Sequence, residues 1–278
     1  MTGTFEPHAP AWESAIDIRV DQAHSARVID ALRGGRTNFT ADRELAGRIQ
    51  QVFPFAPIAL AASRLFLRRA VGHLAARGLR QFLDLGTGLP YGRSVHEIVR
   101  PGREDARVVY LDHDPIVIAH LEALLATEPP ESVGILHTDV TEPEQLLAAI
   151  AALGVVDLTR PVALVMGAIL DHLPSHIEPG WLVRTLAAHL APGSALVLTH
   201  AASDLTDTMA LVATACREAG IDFHPRPRPE VKALFTGWEL VAPGVIPASR
   251  WRAQVPCEPD ANAPVYAGVA VLPGGGPR

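Results

Sequence analysis

The chain has 278 residues, of which 48% are hydrophobic and 19% are charged, and its formal net charge is −6. These proportions exclude a disordered chain, and the acidic balance argues against a general nucleic-acid partner. The two cysteines suggest no disulfide framework, and the sequence has neither a secretory signal nor an apolar run long enough to span a membrane. We therefore expect a cytoplasmic protein that acts away from membranes.

The first part of the chain, up to about residue 79, has a helical pattern. From Ser25 onwards apolar residues recur at spacings of three and four, as on one face of a helix. Breaks at Gly34-Gly35 and at 54–57 divide this stretch. The pattern predicts helices over about 43–52 and 58–76, with a further helical segment before them.

After Arg80 the pattern changes to strands and helices in alternation. Short runs that are apolar throughout are typical of strands covered on both faces. The predicted strands are 81–85, 108–111, 133–136, 162–166 and 195–198, and the predicted helices are 94–99, 115–125, 143–153, 179–189, 205–219 and 228–235. This alternation predicts an α/β fold with a parallel, Rossmann-like sheet. Segments 238–245 and 265–272 are predicted as an antiparallel pair at one edge of that sheet.

The strongest local motif is Asp84-Leu85-Gly86-Thr87-Gly88, directly after the first predicted strand. Glycines allow a tight turn and a close approach of the backbone to a ligand, and Asp84 can hold a cationic amino group. A dinucleotide fingerprint needs a third glycine where this chain has Tyr91. The motif therefore favours S-adenosylmethionine over NAD, with Gly86, Thr87 and Gly88 against the cofactor. An ordinary strand-to-helix turn is the alternative.

Acidic residues also follow the second and third predicted strands. Asp112, with His113 beside it, can accept hydrogen bonds from both ribose hydroxyls of the cofactor, or it can be a solvated turn residue. Asp139 can accept a hydrogen bond from the adenine amino group while Val140 packs on the ring. Asp139 can equally cap the following helix.

The fourth predicted strand ends where ligands bind in sheets of this kind. Gly167 and Ala168 are expected to leave room for the cofactor, and Asp171 or His172 is the candidate general base for an acceptor. Alternatively, His172 is a partly buried histidine bonded to backbone. His172 and His176 are four residues apart, but a proline lies between them and no further ligand is near, so no metal site is predicted.

At this point the chain resembles the actinobacterial S-adenosyl methyltransferase family that was first described as DUF574, a domain of unknown function. The resemblance spans about Ala26 to Trp251. It rests on the blocks 26–30, 34–35, 38–43, 66–71, 81–90, 95–97, 108–115, 192–194, 243–244 and 250–251.

The resemblance implies a class I methyltransferase fold over residues 79–278, preceded by an N-terminal extension and helical cap over residues 1–78. It implies S-adenosylmethionine as cofactor and S-adenosylhomocysteine as product. Arg27 and Asn38 of the cap would then lie near the site, although capping and ion pairing within the cap explain them equally well. With Tyr91, which departs from the family pattern, and His200, they are the candidate acceptor-binding residues.

We therefore expect an enzyme, monomeric or homodimeric, that methylates an oxygen, nitrogen or carbon of a small specialised metabolite. Three alternatives stay open. The chain can be a cofactor-binding protein without catalysis, an enzyme that uses the bound cofactor for another reaction, or, with less support, an NAD-dependent oxidoreductase.

Overall fold

The centre of the fold is a set of five parallel strands. The computed structural model describes residues 18–274, so most of the expected N-terminal extension lies outside the described residues. The strands are β1 (Gln81–Leu85), β2 (Arg107–Asp112), β3 (Val133–His137), β4 (Ala163–Gly167) and β5 (Ala195–Ala201). They lie in the order β3-β2-β1-β4-β5, and the predicted parallel sheet is confirmed.

The sheet ends on antiparallel strands. β8 (Val265–Val271) pairs antiparallel with β5, and its other edge carries β6 (Glu239–Leu240) and β7 (Ile246–Pro247). The predicted antiparallel ending is confirmed, but the single strand predicted over 238–245 is wrong. Pro243 has no N–H for a ladder, and Gly244, at φ 85°, turns the chain and donates its N–H to the Val241 carbonyl at 2.9 Å.

Within the described part of the chain, six α-helices connect or follow these strands. They are α4 (Val95–Val99), α5 (Pro115–Leu125), α6 (Pro143–Leu153), α7 (Pro179–Ala187), α8 (Thr208–Glu218) and α9 (Arg228–Ala233). A proline begins α5, α6 and α7, where its missing N–H leaves no hydrogen bond unmade. Among residues 18–274, no helix is long and apolar enough to cross a bilayer.

The N-terminal helices are α1 (Ser25–Leu32), α2 (Thr40–Val52) and α3 (Ala56–Ala76); α3 packs onto one face of the sheet, α1 packs against α2 and α3, and α2 packs against α8. We call α1 and α2, with the loops around them, the cap. Alternate residues of each strand point to opposite faces, and two hydrophobic clusters form there. Phe66 of α3 is fully buried against the sheet and meets the Trp251 ring edge-on at 5.3 Å. Since the helices share a core with the sheet, the division into 1–78 and 79–278 stays a prediction.

Candidate active site

The turn after β1 is held by the end of β2. The N–H groups of Gly86 and Thr87 both donate to the Leu111 carbonyl, at 2.9 and 3.0 Å. Gly86 and Gly88 both have a φ of 65°, which glycine adopts without strain. A Cβ at Gly86 would lie 2.4 Å from Cδ1 of Ile169, whereas one at Gly88 would meet nothing within 4 Å. Gly86 therefore allows close packing, and Gly88 leaves an open surface.

Asp84 is a buried carboxylate beside this turn. Its side chain accepts a hydrogen bond from the Thr87 hydroxyl at 2.8 Å. Burial raises the pKa of Asp84, although the charge of Arg64 and the Thr87 hydrogen bond act in the opposite direction. A carboxylate has about four acceptor positions, so Asp84 can also accept hydrogen bonds from an ammonium group, whose charge would favour the ionised carboxylate.

Asp112 joins the glycine turn to the end of β2. One carboxylate oxygen accepts from the Gly88 N–H at 2.9 Å and the other from the Asp114 N–H at 3.0 Å. Each oxygen keeps a lone pair for a hydroxyl donor. His113, beside it, has a largely exposed side chain. The structure thus brings Asp84, the glycine turn and Asp112 together at the carboxyl edge of the sheet.

Beyond β3, Asp139 is exposed and Val140 is buried in the hydrophobic core. The Asp139 carboxylate accepts from the Thr141 N–H at 2.8 Å and so closes a local turn. The residue at the start of α6 is Glu142, so Asp139 does not cap that helix. The expected contacts of Asp139 and Val140 with an adenine ring stay predictions.

The end of β4 is tightly constrained. A Cβ at Gly167 would lie 2.6 Å from Cδ1 of Leu67, so the missing side chain accommodates α3, where we had expected room for the cofactor. Ala168 has a φ of 57°, which is uncommon for a residue with a Cβ. Strained backbone of this kind persists where the surrounding structure holds it, and it often lies at functional sites.

A buried chain of polar groups lies behind this segment. Asp171 accepts from the Ala201 N–H at 3.0 Å and lies 2.7 Å from Nδ1 of His200. Nη1 of Arg226 lies 2.7 Å from Nε2 of His200. Because a guanidinium only donates, Nε2 accepts and Nδ1 carries the proton that points to Asp171. His200, expected to bind the acceptor, is fully buried and instead positions Asp171.

His172 is the other candidate base. Its Nδ1 lies 2.8 Å from the Asp222 carbonyl, which can only accept, so Nδ1 carries the proton and Nε2 keeps a lone pair when the ring is neutral. Burial lowers the pKa of His172, which favours the neutral ring, while the charge of Asp171 acts the other way. The expected alternative, a histidine bonded to backbone, is thus present, and it leaves Nε2 available.

A cavity of ≈ 120 Å³ lies between α1, α2, α3, α8 and the ends of β4 and β5. Its polar lining comes from Ser25, Ser63, Asp171 and His172, and apolar side chains such as Ile29, Ile49, Phe53, Val212 and Phe223 form most of the wall. This cavity is not predicted by the sequence pattern. Apolar residues at helical spacing indicate buried positions, but they do not distinguish a packed core from a cavity wall.

The cavity lies next to the glycine turn. Ser63 of α3 lines the cavity, and the following residue, Arg64, lies at the recess of Asp84. In the segment 168–172, Ile169 packs beside Gly86, while Ala168, Asp171 and His172 line the cavity. A cofactor at the turn and a second ligand in the cavity would therefore be neighbours.

Two of the expected acceptor-binding residues are engaged within the cap. The buried Arg27 donates to the carbonyls of Ile18, at 3.1 Å, and Gln22, at 2.9 Å. The Asn38 amide donates to the Asp30 carboxylate at 2.8 Å. These bonds support the alternative that both residues stabilise the cap, and neither is among the residues that line the cavity.

Tyr91, the remaining acceptor-binding candidate, is exposed on the loop that follows the glycine turn. The guanidinium of Arg33 lies over its ring, 4.2 Å from the ring centroid. Tyr91 thus connects the cap to this loop at the rim of the site.

His24 connects the cap to the end of β2, a contact that the sequence analysis missed. Its Nδ1 lies 2.9 Å from the Asp114 carboxylate, and its Nε2 lies 3.2 Å from Nε2 of His113. Burial acts to raise the pKa of Asp114, but the hydrogen bond and charge of His24, together with the Ile116 N–H and the charge of Arg27, lower that pKa to about 2. Asp114 also caps α5, so one carboxylate holds both elements.

Comparison with known proteins decides the family. Residues 11–273 match the family model described as S-adenosyl methyltransferase. The chain belongs to this family. The resemblance to DUF574 proteins is thereby confirmed, and the chain is a methyltransferase that depends on S-adenosylmethionine.

Solved structures agree with this assignment. A DUF574 family protein from Streptomyces avermitilis is 32% identical with a TM-score of 0.86, over 92% of this chain and 100% of that one. A candidate methyltransferase from Thermobifida fusca is 33% identical with a TM-score of 0.86, over 95% of this chain and 99% of that one. An O-methyltransferase family protein from Burkholderia thailandensis, at 12% identity and TM-score 0.50 over 80% of this chain and 60% of that one, shows the shared fold alone. No curated protein matches the chain.

The residues at the glycine turn fit this cofactor. Gly88 offers open space that a Cβ would enter, Asp84 has acceptor capacity for an ammonium, and Asp112 has lone pairs for hydroxyl donors. Within residues 18–274, no three His, Cys, Asp or Glu side chains are grouped so that they could hold a metal ion.

Proposed function

We propose that this methyltransferase acts on a small molecule that binds in the cavity between the cap and the ends of β4 and β5. The observation that carries the proposal is the shared segment 168–172, which packs beside the glycine turn through Ile169 and lines the cavity through Ala168, Asp171 and His172. Donor and acceptor would meet across this segment. S-adenosylmethionine, when bound, supplies a methyl group that is already activated for transfer.

The chain contributes binding, orientation and exclusion of water. Asp84 would hold the amino group of the cofactor and Asp112 its ribose, with the glycine turn beneath. The cap, held by His24 and Arg27, would cover both ligands and keep water out. His172 would accept a proton where the acceptor has to lose one.

The sequence departure at Tyr91 supports an acceptor particular to this chain, which we propose to be a specialised metabolite. The methylated atom can be oxygen, nitrogen or carbon. A monomeric or homodimeric state and a cytoplasmic site of action are parts of the same proposal.

Calorimetric titration with S-adenosylmethionine, S-adenosylhomocysteine and NAD tests the cofactor site. We expect micromolar binding of the first two ligands and none of NAD. Asp84→Asn and Asp112→Asn should each weaken binding at least about tenfold, because each keeps the shape of the side chain and removes its charge. Asp105→Asn, at an exposed position outside the site, is the matched control and should bind like the wild type.

Formation of S-adenosylhomocysteine in the presence of candidate acceptors then tests catalysis. Unchanged cofactor affinity in both Asp84→Asn and Asp112→Asn would contradict the site. Cofactor binding without turnover on any small molecule, together with transfer to a macromolecule, would contradict the proposed acceptor class.

A further inference from the structure

The cavity wall disfavours anionic acceptors. Among the described residues no lysine or arginine lines it, and Asp171 is its only carboxylate. A carboxylate or phosphate bound there would lose its hydration, would have no cationic partner, and would face the charge of Asp171. The part of the acceptor that enters the cavity is therefore not an anion, and the apolar side chains that form most of the wall favour an uncharged group over a cation.

The size and surface of the cavity indicate a single ring. Its volume of ≈ 120 Å³ is close to that of an apolar cavity of about 150 Å³ that holds benzene in another protein. Phe53 and Phe223 are part of the wall, and the Phe223 ring centroid lies 5.3 Å from that of His172 at an interplanar angle of 35°. Aromatic side chains in the wall favour an aromatic guest, because rings stack offset or meet edge to face.

His172 gives this apolar space one proton acceptor. Since its Nδ1 donates to the Asp222 carbonyl, the nitrogen that remains for a ligand is Nε2, with its lone pair. Asp171, the adjacent residue, is held by Ala201 and His200 and would stabilise a proton on His172 by its charge. A base is useful only to an acceptor that must lose a proton, such as a phenol.

We propose that the acceptor is an uncharged, ring-sized phenol that lies in the cavity with its hydroxyl towards His172. This inference rests on the proposed methyl transfer and names its substrate class. The hydroxyl proton passes to Nε2 of His172, and the phenolic oxygen forms a bond to the methyl carbon. The carbon–sulfur bond breaks, its electron pair stays on sulfur to give S-adenosylhomocysteine, and His172 releases the proton to solvent.

Binding without cofactor is the first test, and 4-methylphenol is the probe. It should bind the full chain, whereas benzoate, of similar size but charged, should bind at least about tenfold more weakly. Val212→Phe places a ring into the cavity and should weaken 4-methylphenol binding by about tenfold or more. Leu211→Phe, which introduces the same phenylalanine ring at the exposed neighbouring position on α8, is the matched control and should leave binding unchanged.

Turnover is the second test. With S-adenosylmethionine present, the wild type should methylate 4-methylphenol, and His172→Ala should bind it but react much more slowly at pH 7. The titratable groups around His172 are Asp171, His24 and His200. The rate of His172→Ala should rise with pH, because solvent hydroxide can take the hydroxyl proton of the bound phenol, while the wild-type rate should level off at lower pH.

The outcomes separate this inference from the proposed function. Cofactor binding without 4-methylphenol binding, or equal binding of benzoate, would overturn the phenol class and leave the methyltransferase site in place. A Val212→Phe protein that still binds S-adenosylmethionine and 4-methylphenol normally would show that the phenol binds elsewhere. Equal pH profiles for His172→Ala and the wild type would remove His172 from proton transfer.

Discussion

Gly86 and Gly88 have the same φ of 65°, and they differ in what an added Cβ would meet. Alanine in this left-handed region costs roughly 1–2 kcal/mol, and the stiffer unfolded chain returns roughly 0.4–1 kcal/mol. Both Gly→Ala variants should therefore lose about 1 kcal/mol from the backbone. At Gly86 the Cβ would also lie 2.4 Å from Cδ1 and 2.7 Å from Cγ1 of Ile169, and overpacking of this kind adds roughly 1–3 kcal/mol.

We therefore expect Gly86→Ala to lower the free energy of unfolding by about 2–4 kcal/mol and Gly88→Ala by about 1 kcal/mol. Urea denaturation of both variants measures the difference. In the folded proteins, Gly88→Ala should weaken the binding of S-adenosylhomocysteine more than Gly86→Ala does, since the Gly88 side of the turn is open to the cofactor.

A double-mutant cycle with Ile169→Ala isolates the steric part. Removing Cδ1 and Cγ1 leaves only Cβ, at 3.1 Å, near the position of the new methyl group. Ile169→Ala should therefore recover most of the extra loss in Gly86→Ala and have no such effect in Gly88→Ala. Equal destabilisation by the two glycine substitutions, with no coupling to Ile169, would refute the reasoning.

Three further predictions follow from contacts around the site. The pKa of Asp114 is about 2 in the folded state, below its ordinary value. The ionised carboxylate therefore contributes up to about 2 kcal/mol to the free energy of unfolding above pH 4, and this contribution is lost as the pH falls towards 2. Asp114→Asn should accordingly make the free energy of unfolding less dependent on pH in this acidic range. His200→Ala should leave Asp171 without its buried partner and cost about 3 kcal/mol in urea denaturation, whereas His189→Ala at an exposed site should cost little. Ala168→Gly should change the melting temperature only slightly, while Ala168→Val should lower it by several degrees, because a branched side chain is strained at a φ of 57°.

The parts of the fold that the sequence predicted well are encoded locally. Continuous apolar runs marked β1 to β5 within two or three residues, and proline marked the first residue of α5 and of α6. The motif from Asp84 to Gly88 predicted a tight turn after β1 because its glycines and its acid are adjacent in the chain, and that turn is present. Asp112 followed from the strand spacing.

What the sequence did not predict depends on contacts between distant segments. His24 meets Asp114 across 90 positions, and Arg226 reaches His200 from a loop beyond α8. Neither the residue types nor their spacing in the sequence predicts contacts between residues so far apart in the chain. The cavity was missed for a similar reason, since its walls come from four helices that are separate in the chain. Pro243-Gly244 marks the break between β6 and β7 in the sequence, so the continuous strand over 238–245 was not the best prediction for this segment.

The division of labour between the turn and the cavity has an evolutionary consequence. The residues that we propose to face the donor lie on strand ends and at the glycine turn, whereas α1, α2 and α8 supply much of the wall of the proposed acceptor cavity. Substitutions in those helices can change the shape of the cavity while the residues of the proposed cofactor site stay the same. Descendants of one ancestral gene can thus acquire new substrates by small steps, each of which still leaves a working donor site on which selection can act.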